Sequence, residues 1–303
     1  RNATRVFDYL GGEEVNSSAT HAPHRCVISF GAMPLSEAEA WPDLTAILRE
    51  RVKAEREKSG TTKDAQEYAR RWWQFAKMRE SLYAALAPLK RCLVTSQVSK
   101  HLLFSYQPTD RIFAHTLYVF PLEPYTSFAV LQSRIHEPWA RLLSSSMKTD
   151  LRYSASDCFA TFPFPRPDPR TILPAVEAAG EAFYAARAEY MLRENVGLTV
   201  TYNRLKDPAN DTPDVARLRA LTEAMDRAVL EAYGWGELDV PPYCAGAGAA
   251  TADEDREAQR AFADAVVERL YALNAERAKE EARGVGKKES KTKRAGSAKR
   301  REE

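Results

Sequence analysis

The feature that most constrains this chain is an aromatic run closed by two prolines. It is Arg152–Pro165, RYSASDCFATFPFP. Proline has no amide hydrogen to give a ladder and clashes inside a helix, so Pro163 and Pro165 end regular structure here. Phe159, Phe162 and Phe164 are too apolar to stand together in water, so they should pack back onto what precedes them. By composition the stretch reads as a buried hinge between two domains.

A chain of 303 residues with 44% apolar side chains can bury a real core, as one large domain or two ordinary ones. The net charge of +2 hides an uneven distribution. Residues 1–170 carry 23 basic and 18 acidic side chains, residues 171–284 a net −8, and residues 285–303 a net +5. A polyanionic partner should therefore meet the front half or the tail. Cys26, Cys92, Cys158 and Cys244 form no CxxC pair, so neither a zinc signature nor a disulfide framework is expected. No long apolar run or signal peptide is visible, which points to a cytoplasmic protein without a membrane span. The chain begins at Arg1 rather than Met, and Asn2–Leu10 already reads like protein interior, so a fragment of a longer polypeptide is expected.

In order, Val6–Leu10 is a short apolar run, followed by Gly11-Gly12 as a turn. His24–Phe30 alternates as a strand. Ser36 with Glu39 fits a capping box for a helix over about 37–58, interrupted near Pro42. Residues 64–76 predict a second helix holding Trp72-Trp73, one ring for the core and the other half exposed. A third, short helix is expected near 80–86. Residues 91–96, 101–106 and 111–120 each read as strands joined by tight turns, hence an antiparallel meander. Residues 127–143 predict one helix with Phe128, Leu131, Ile135, Trp139 and Leu142 on one stripe. Beyond Pro169 the strands vanish. Long helices are expected over 172–194, 213–233 (closed by Gly234) and 253–283, and the basic segment 285–303 should be disordered. The expected class is α+β: a mixed domain (1–169), an all-α region (170–284) and a disordered basic tail (285–303).

No dinucleotide, Walker, esterase or zinc-protease motif is present, and the five histidines do not fall into metal-ligand spacing. Val240-Pro241-Pro242-Tyr243 mimics the catalytic tetrapeptide of amino-methylating DNA methyltransferases. That tetrapeptide opens with Asn, Asp or Ser, whose side chain helps hold the target amine. Valine has no such acceptor, and no cofactor loop precedes it.

Several long segments, in order, resemble a known family. They are FDYLGGEEVN, HRCVISFG, RWWQFAKMRESLY, RCLVTSQVSKHL, FAVLQSRIHEPWARLLSSSMKTDLRYSASDCFATFPFP, GLTVTYNRLKDP and LTEAMDRAVLEAYGW. They look like the C-terminal part of single-chain, type IIL MmeI-like restriction-modification enzymes, which fuse an adenine-N6 DNA methylase to its own target recognition domain. The resemblance implies that this chain holds the double-stranded-DNA reader and the helical region behind it. The methylase domain, with S-adenosylmethionine as its cofactor, would precede it in the same parent polypeptide. The fragment itself would then be non-catalytic and bind no cofactor or metal.

The loop Met147–Arg152 fits that role. Alternate residues of an extended segment point the same way. Lys148 and Arg152 are therefore candidates to donate to guanine O6/N7, and Asp150 to accept from a cytosine amine. The family's base-reading positions lie just upstream of RYS…FPFP, where these three fall. A solvated surface loop is the other reading. Arg91, Ser96, Ser99, Lys100, His101 and Arg111, at strand ends and turns, are candidates for phosphate or further base contacts. Asn203 and Arg204 should fix helical packing. The leading expectation is a DNA-specificity module of a methyltransferase in restriction-modification or phage defence. The alternative is a scaffold that docks partner subunits of a phage-defence complex through its acidic helices.

Overall fold

A computed structural model describes residues 1–147, 150–246 and 249–299, with side chains omitted at 145–147, 249–251 and 284–299. The chain forms two compact units. The first comprises Arg1–Gln97, Leu103–Glu123 and Glu194–Leu198; the second comprises Val98–Leu102, Pro124–Arg193 and Thr199–Glu303.

The first unit opens with a 3-10 turn, Asn2–Arg5, then β1 (Val6–Leu10), α1 (Gly12–Ser17) and β2 (Arg25–Ile28). Gly11 and Gly12 are not a simple turn. Gly11 is the N-cap of α1, and its amide donates to the Glu14 carboxylate at 3.0 Å. Burial opposes the ionisation of Glu14, but hydrogen bonds and the charge of Arg25 outweigh it and keep the carboxyl below its ordinary range. Next come α2 (Leu35–Ala38), α3 (Pro42–Leu48), a π-helical stretch (Arg49–Lys53), α4 (Ala54–Glu57), α5 (Lys63–Arg70) and α6 (Glu80–Leu86). The helix expected over 37–58 breaks before Pro42 as expected and is further divided into short pieces, and the cap of α2 is Pro34, not Ser36. Pro42 explains the first break, because it can open a helix but not continue one. Helix α5 stops at Arg70, so Trp72 and Trp73 follow it. Trp72 is buried, and half-buried Trp73 donates to the Met33 carbonyl at 2.8 Å.

Strand β3 (Arg91–Ser96) follows as expected, with β4 (Val98–Ser99), β5 (Ser105–Pro108), β6 (Ile112–Phe113) and β7 (Leu117–Phe120). The antiparallel sheet expected here exists with the order β5-β3-β7, which puts β3 in the middle instead of at the edge of a meander. Residues 111–120 are not one strand. A turn, Leu117 N to Ala114 O at 3.1 Å, separates β7 from β6, and β6 pairs in parallel with β1. Strand β3 is the most buried, with Cys92, Leu93 and Val94 fully enclosed. Burial pushes the Cys92 thiol up to about 12, so it is an inert core group.

The second unit contains β4, α7 (Tyr125–Gln132), α8 (His136–Leu143), β8 (Ser145–Met147), β9 (Asp150–Arg152) and a π-helical turn, Ala155–Phe159. Helices α9 (Pro174–Glu194), α10 (Leu198–Leu205), α11 (Pro213–Tyr233) and α12 (Ala249–Lys299) follow. The one helix expected over 127–143 is broken at Ser133. The Ser133 hydroxyl donates to the Val130 carbonyl and accepts from the Ile135 amide, an alternative to the helical ladder. The Asp226 carboxylate, 92 residues away, accepts from the Arg134 amide. The break shifts the helical phase, so Phe128, Leu131, Ile135 and Trp139 are buried while Leu142 is 53% exposed.

Helices α9 and α11 match their expected spans, and Gly234 closes α11 at φ 77°. Arg187 on α9 is fully enclosed by aromatic rings. Its guanidinium lies 5.0 Å from both Phe128 and Tyr184 and donates to the Tyr202 hydroxyl at 3.0 Å. Helix α12 runs on to Lys299, through most of the segment for which no regular structure was expected. Extending an existing helix adds a hydrogen bond per residue without a new nucleus, and the Lys/Arg-rich segment lacks proline. Residues 300–303 lie outside the described residues. Among the described residues no helix is long and apolar enough to cross a membrane.

Candidate nucleic-acid interface

Strand β9 is the centre of a three-stranded sheet ordered β4-β9-β8. Its burial alternates: Asp150 is half-buried, Leu151 is buried and Arg152 is exposed. Asp150 and Arg152 therefore share the face opposite Leu151, as extended backbone requires. Lys148, the third expected reader, lies outside the described residues.

The aromatic-proline run holds this strand from behind. Tyr153 is buried, and its hydroxyl lies 3.0 Å from Nε2 of buried His136. The His136 ring meets Phe162 edge-on at 4.4 Å, Phe162 meets Phe164 at 5.1 Å, and Phe164 meets Phe159 at 5.6 Å. These rings pack back onto α8, where Trp139 lies 6.3 Å from Phe162. The Pro163 carbonyl, which no ladder claims, accepts from the Tyr233 hydroxyl of α11 at 2.8 Å. Ser154 caps the π-helical turn by accepting from the Asp157 amide, and Cys158 behind it donates to the Ala140 carbonyl. Burial drives the His136 pKa down to about 3, so this ring is neutral.

The structure also joins two groups that were separate in the sequence. Val98 pairs with Arg152 and Ser99 with Leu151, so β4 lies directly beside β9. Just after β4, the exposed Lys100 donates to Asn203 Oδ1 at 2.7 Å, and Nε2 of buried His101 lies 2.9 Å from the same oxygen. Burial lowers the His101 pKa against the hydrogen bond to Asn203. Asn203 thus anchors this edge, and Arg204 donates to the Tyr190 hydroxyl at 2.9 Å; both fix helical packing.

Arg91, Ser96 and Arg111 belong to the other unit. Arg91 donates twice to the Glu123 carbonyl, at 3.1 and 2.6 Å, and stacks 4.0 Å over Tyr106. Ser96 is buried, and the Arg111 side chain is only 11% exposed against Gln107 and Asp110. These three hold the fold around β3. Sequence reading missed the exposed polar turn His115-Thr116. The Gln97 amide side chain donates to the His115 carbonyl, and the Gln97 backbone donates to Thr116 O at 2.9 Å. The signal was there, a polar pair interrupting an apolar run, but it was absorbed into one long strand.

The Val240–Tyr243 tetrapeptide does not fit methylase chemistry. Val240 has no polar side chain, and the Pro242 carbonyl already accepts from Arg134 at 3.1 Å and Gln259 at 2.8 Å. The Tyr243 amide donates to Glu223. Among the described residues no three His, Cys, Asp or Glu side chains gather as a metal site.

Comparison with known proteins gives the fold and the family. A solved structure of the Type IIL restriction-modification enzyme MmeI in complex with DNA aligns with 88% of this chain at a TM-score of 0.59 and 20% identity, which establishes a shared fold. The chain covers 32% of that protein. DNA methyltransferase A of Bacillus subtilis (strain 168) is 31% identical over 123 residues, 39% of this chain and 13% of that protein. The chain therefore spans less than a third of the length of each. The family model of the MmeI target recognition domain matches residues 2–166, more than half of the chain. The chain belongs to the MmeI target recognition domain family.

Proposed function

We propose that this chain is the sequence-reading module of an adenine-N6 DNA methyltransferase of restriction-modification or phage defence, acting on double-stranded DNA in the cytoplasm. The observation that carries the reading is the alternation on β9. Asp150 and Arg152 share one face, over a buried Leu151 locked by the Tyr153–His136 pair. Base edges in the major groove are read by short polar and charged groups held rigidly, and here a donor and an acceptor are so held. Arg152, and Lys148 with it, suit guanine O6/N7; Asp150 suits a cytosine amine. Lys100, at the edge of the same sheet, suits a phosphate. Residues 1–169 carry recognition and 170–284 brace it, a division that the extent of the family match supports. The methylase, with S-adenosylmethionine, belongs to a domain of the same parent polypeptide outside this chain; the reader positions the duplex so that the target adenine can be flipped into it.

The test is binding of the chain to a randomised duplex pool at two salt concentrations. Enrichment of one sequence that persists at the higher salt supports the reader. Binding without any sequence preference, or capture of protein partners with no duplex affinity, overturns it.

A further inference from the structure

The second unit holds a cavity of about 490 Å³ bounded by α8, the turn after α10, the 241–245 loop and α12. Its wall is built around one carboxylate. Glu137 Oε1 accepts from Arg141 Nε at 2.9 Å, Arg141 Nη2 at 2.7 Å and Lys206 Nζ at 3.1 Å. Two cations on one anion leave an uncompensated positive charge. They also leave N–H groups unused, because Arg141 bonds Glu137 through only two of its three nitrogens and Lys206 through one donor of three. Burial resists the charge on Glu137, yet Lys206 and Arg141 hold its carboxyl down at about 2, a measure of the local positive field.

Arg134 adds a further positive charge. Its Nε donates to Asp226 at 2.6 Å and its Nη1 to the Pro242 carbonyl, while its side chain is only 13% exposed. Nη2 is buried and has no hydrogen-bond partner among the described residues. The guanidinium is held by Tyr243 at 5.3 Å and Phe262 at 5.9 Å, and Arg134 lines the cavity, so it adds a fixed positive charge there. Guanidinium and ammonium donors that converge on a concave site are the chemistry that recognises phosphate.

We infer that this cavity binds a phosphate group, with Arg141 and Lys206 as its donors, Arg134 adding positive charge, and Glu137 as the carboxylate the ligand competes with. The inference rests on this wall alone and does not depend on base reading by β9. A nucleotide, whose size suits a cavity of this volume, and a backbone phosphate of duplex DNA carry the same group.

The test uses the full chain in chloride buffer of constant ionic strength, with thermal unfolding and calorimetric titration against inorganic phosphate. Phosphate should raise the Tm with concentration, as a ligand of the folded state must. R141Q and K206Q should each weaken phosphate binding about tenfold, and E137Q should tighten it several-fold by freeing both cations. Loss in the first two variants could reflect misfolding; gain in E137Q cannot. Phosphate no better than chloride, or unchanged or weaker binding in E137Q, overturns the inference. AMP and a short duplex then identify the source: AMP competing with phosphate assigns a free nucleotide, and duplex competing assigns backbone. Competition by neither, while phosphate binds as described, leaves the phosphate site standing with inorganic phosphate as its ligand.

Discussion

The Tyr153 hydroxyl lies 3.0 Å from His136 Nε2, and this contact joins α8 to the residue directly after Arg152. Both residues are buried, so the bond is shielded from water and ties the chain to α8 where it leaves β9. Tyr153→Phe deletes the hydroxyl and leaves a buried ring nitrogen without this partner. The expected cost is about 1–3 kcal/mol, read as a lower urea midpoint at unchanged slope.

His136 also sets a pH response. Its folded pKa is about 3, while an unfolded histidine titrates near 6.5, about the ordinary value. Between those values the unfolded chain binds the extra proton. Stability conferred by the neutral ring is therefore complete above about pH 6.5 and falls as the pH drops toward 3, by up to about 1.4 kcal/mol per unit. Glu137 adds a second loss below its ordinary carboxyl range, as the pH falls from about 4.5 toward 2. Denaturation midpoints from pH 7 to 5 should decline, and His136→Gln should flatten that part of the curve. A flat wild-type profile over this range would contradict the buried neutral ring.

Neighbouring residues on β9 should separate stability from selectivity. Leu151 is 4% exposed, so Leu151→Ala should cost about 2–5 kcal/mol. Arg152→Ala on the exposed face should change stability by no more than about 0.5 kcal/mol. It should cost about 1–3 kcal/mol of discrimination at one base pair if that side chain reads it. Calorimetry and competition binding on the same two variants make the comparison.

The Arg134–Asp226 pair predicts a larger effect. Asp226 is fully buried, and its carboxylate accepts both the amide and the Nε of Arg134. Burial raises the Asp226 pKa while Arg134 opposes that rise. Asp226→Ala strands a guanidinium and leaves the Arg134 amide without this acceptor, with an expected loss of about 3–5 kcal/mol. Asp226→Asn keeps one acceptor and should lose less; equal losses would mean that the charge does not matter.

Gly180 is where α9 approaches α7. A Cβ there would stand 2.6 Å from the Tyr125 carbonyl oxygen. Gly180→Ala should therefore destabilise by about 1–3 kcal/mol through overpacking, despite the better helix propensity of alanine. Thermal unfolding at one pH suffices to check the sign.

The sequence by itself determined whatever depends on neighbours along the chain. The α9 and α11 spans, the Gly234 cap, strand β3 and the folding-back of Phe162 and Phe164 follow from local periodicity, backbone limits and apolar area. The alternation of Asp150 and Arg152 follows from the two-residue repeat of extended chain. Tertiary structure alone decided where partners come from far away. Asp226 holds the break after Ser133 from 92 residues away, because a buried carboxylate accepting from the amide and the guanidinium of Arg134 outweighs a few residues of helix propensity. Strand β4 reaches β9 across more than fifty residues, which no local pattern encodes. Arg91, whose charge suggested phosphate, is held by the Glu123 carbonyl, which only the folded chain brings near. The cavity around Glu137 is likewise invisible in sequence, because its walls come from four elements whose convergence is a property of packing.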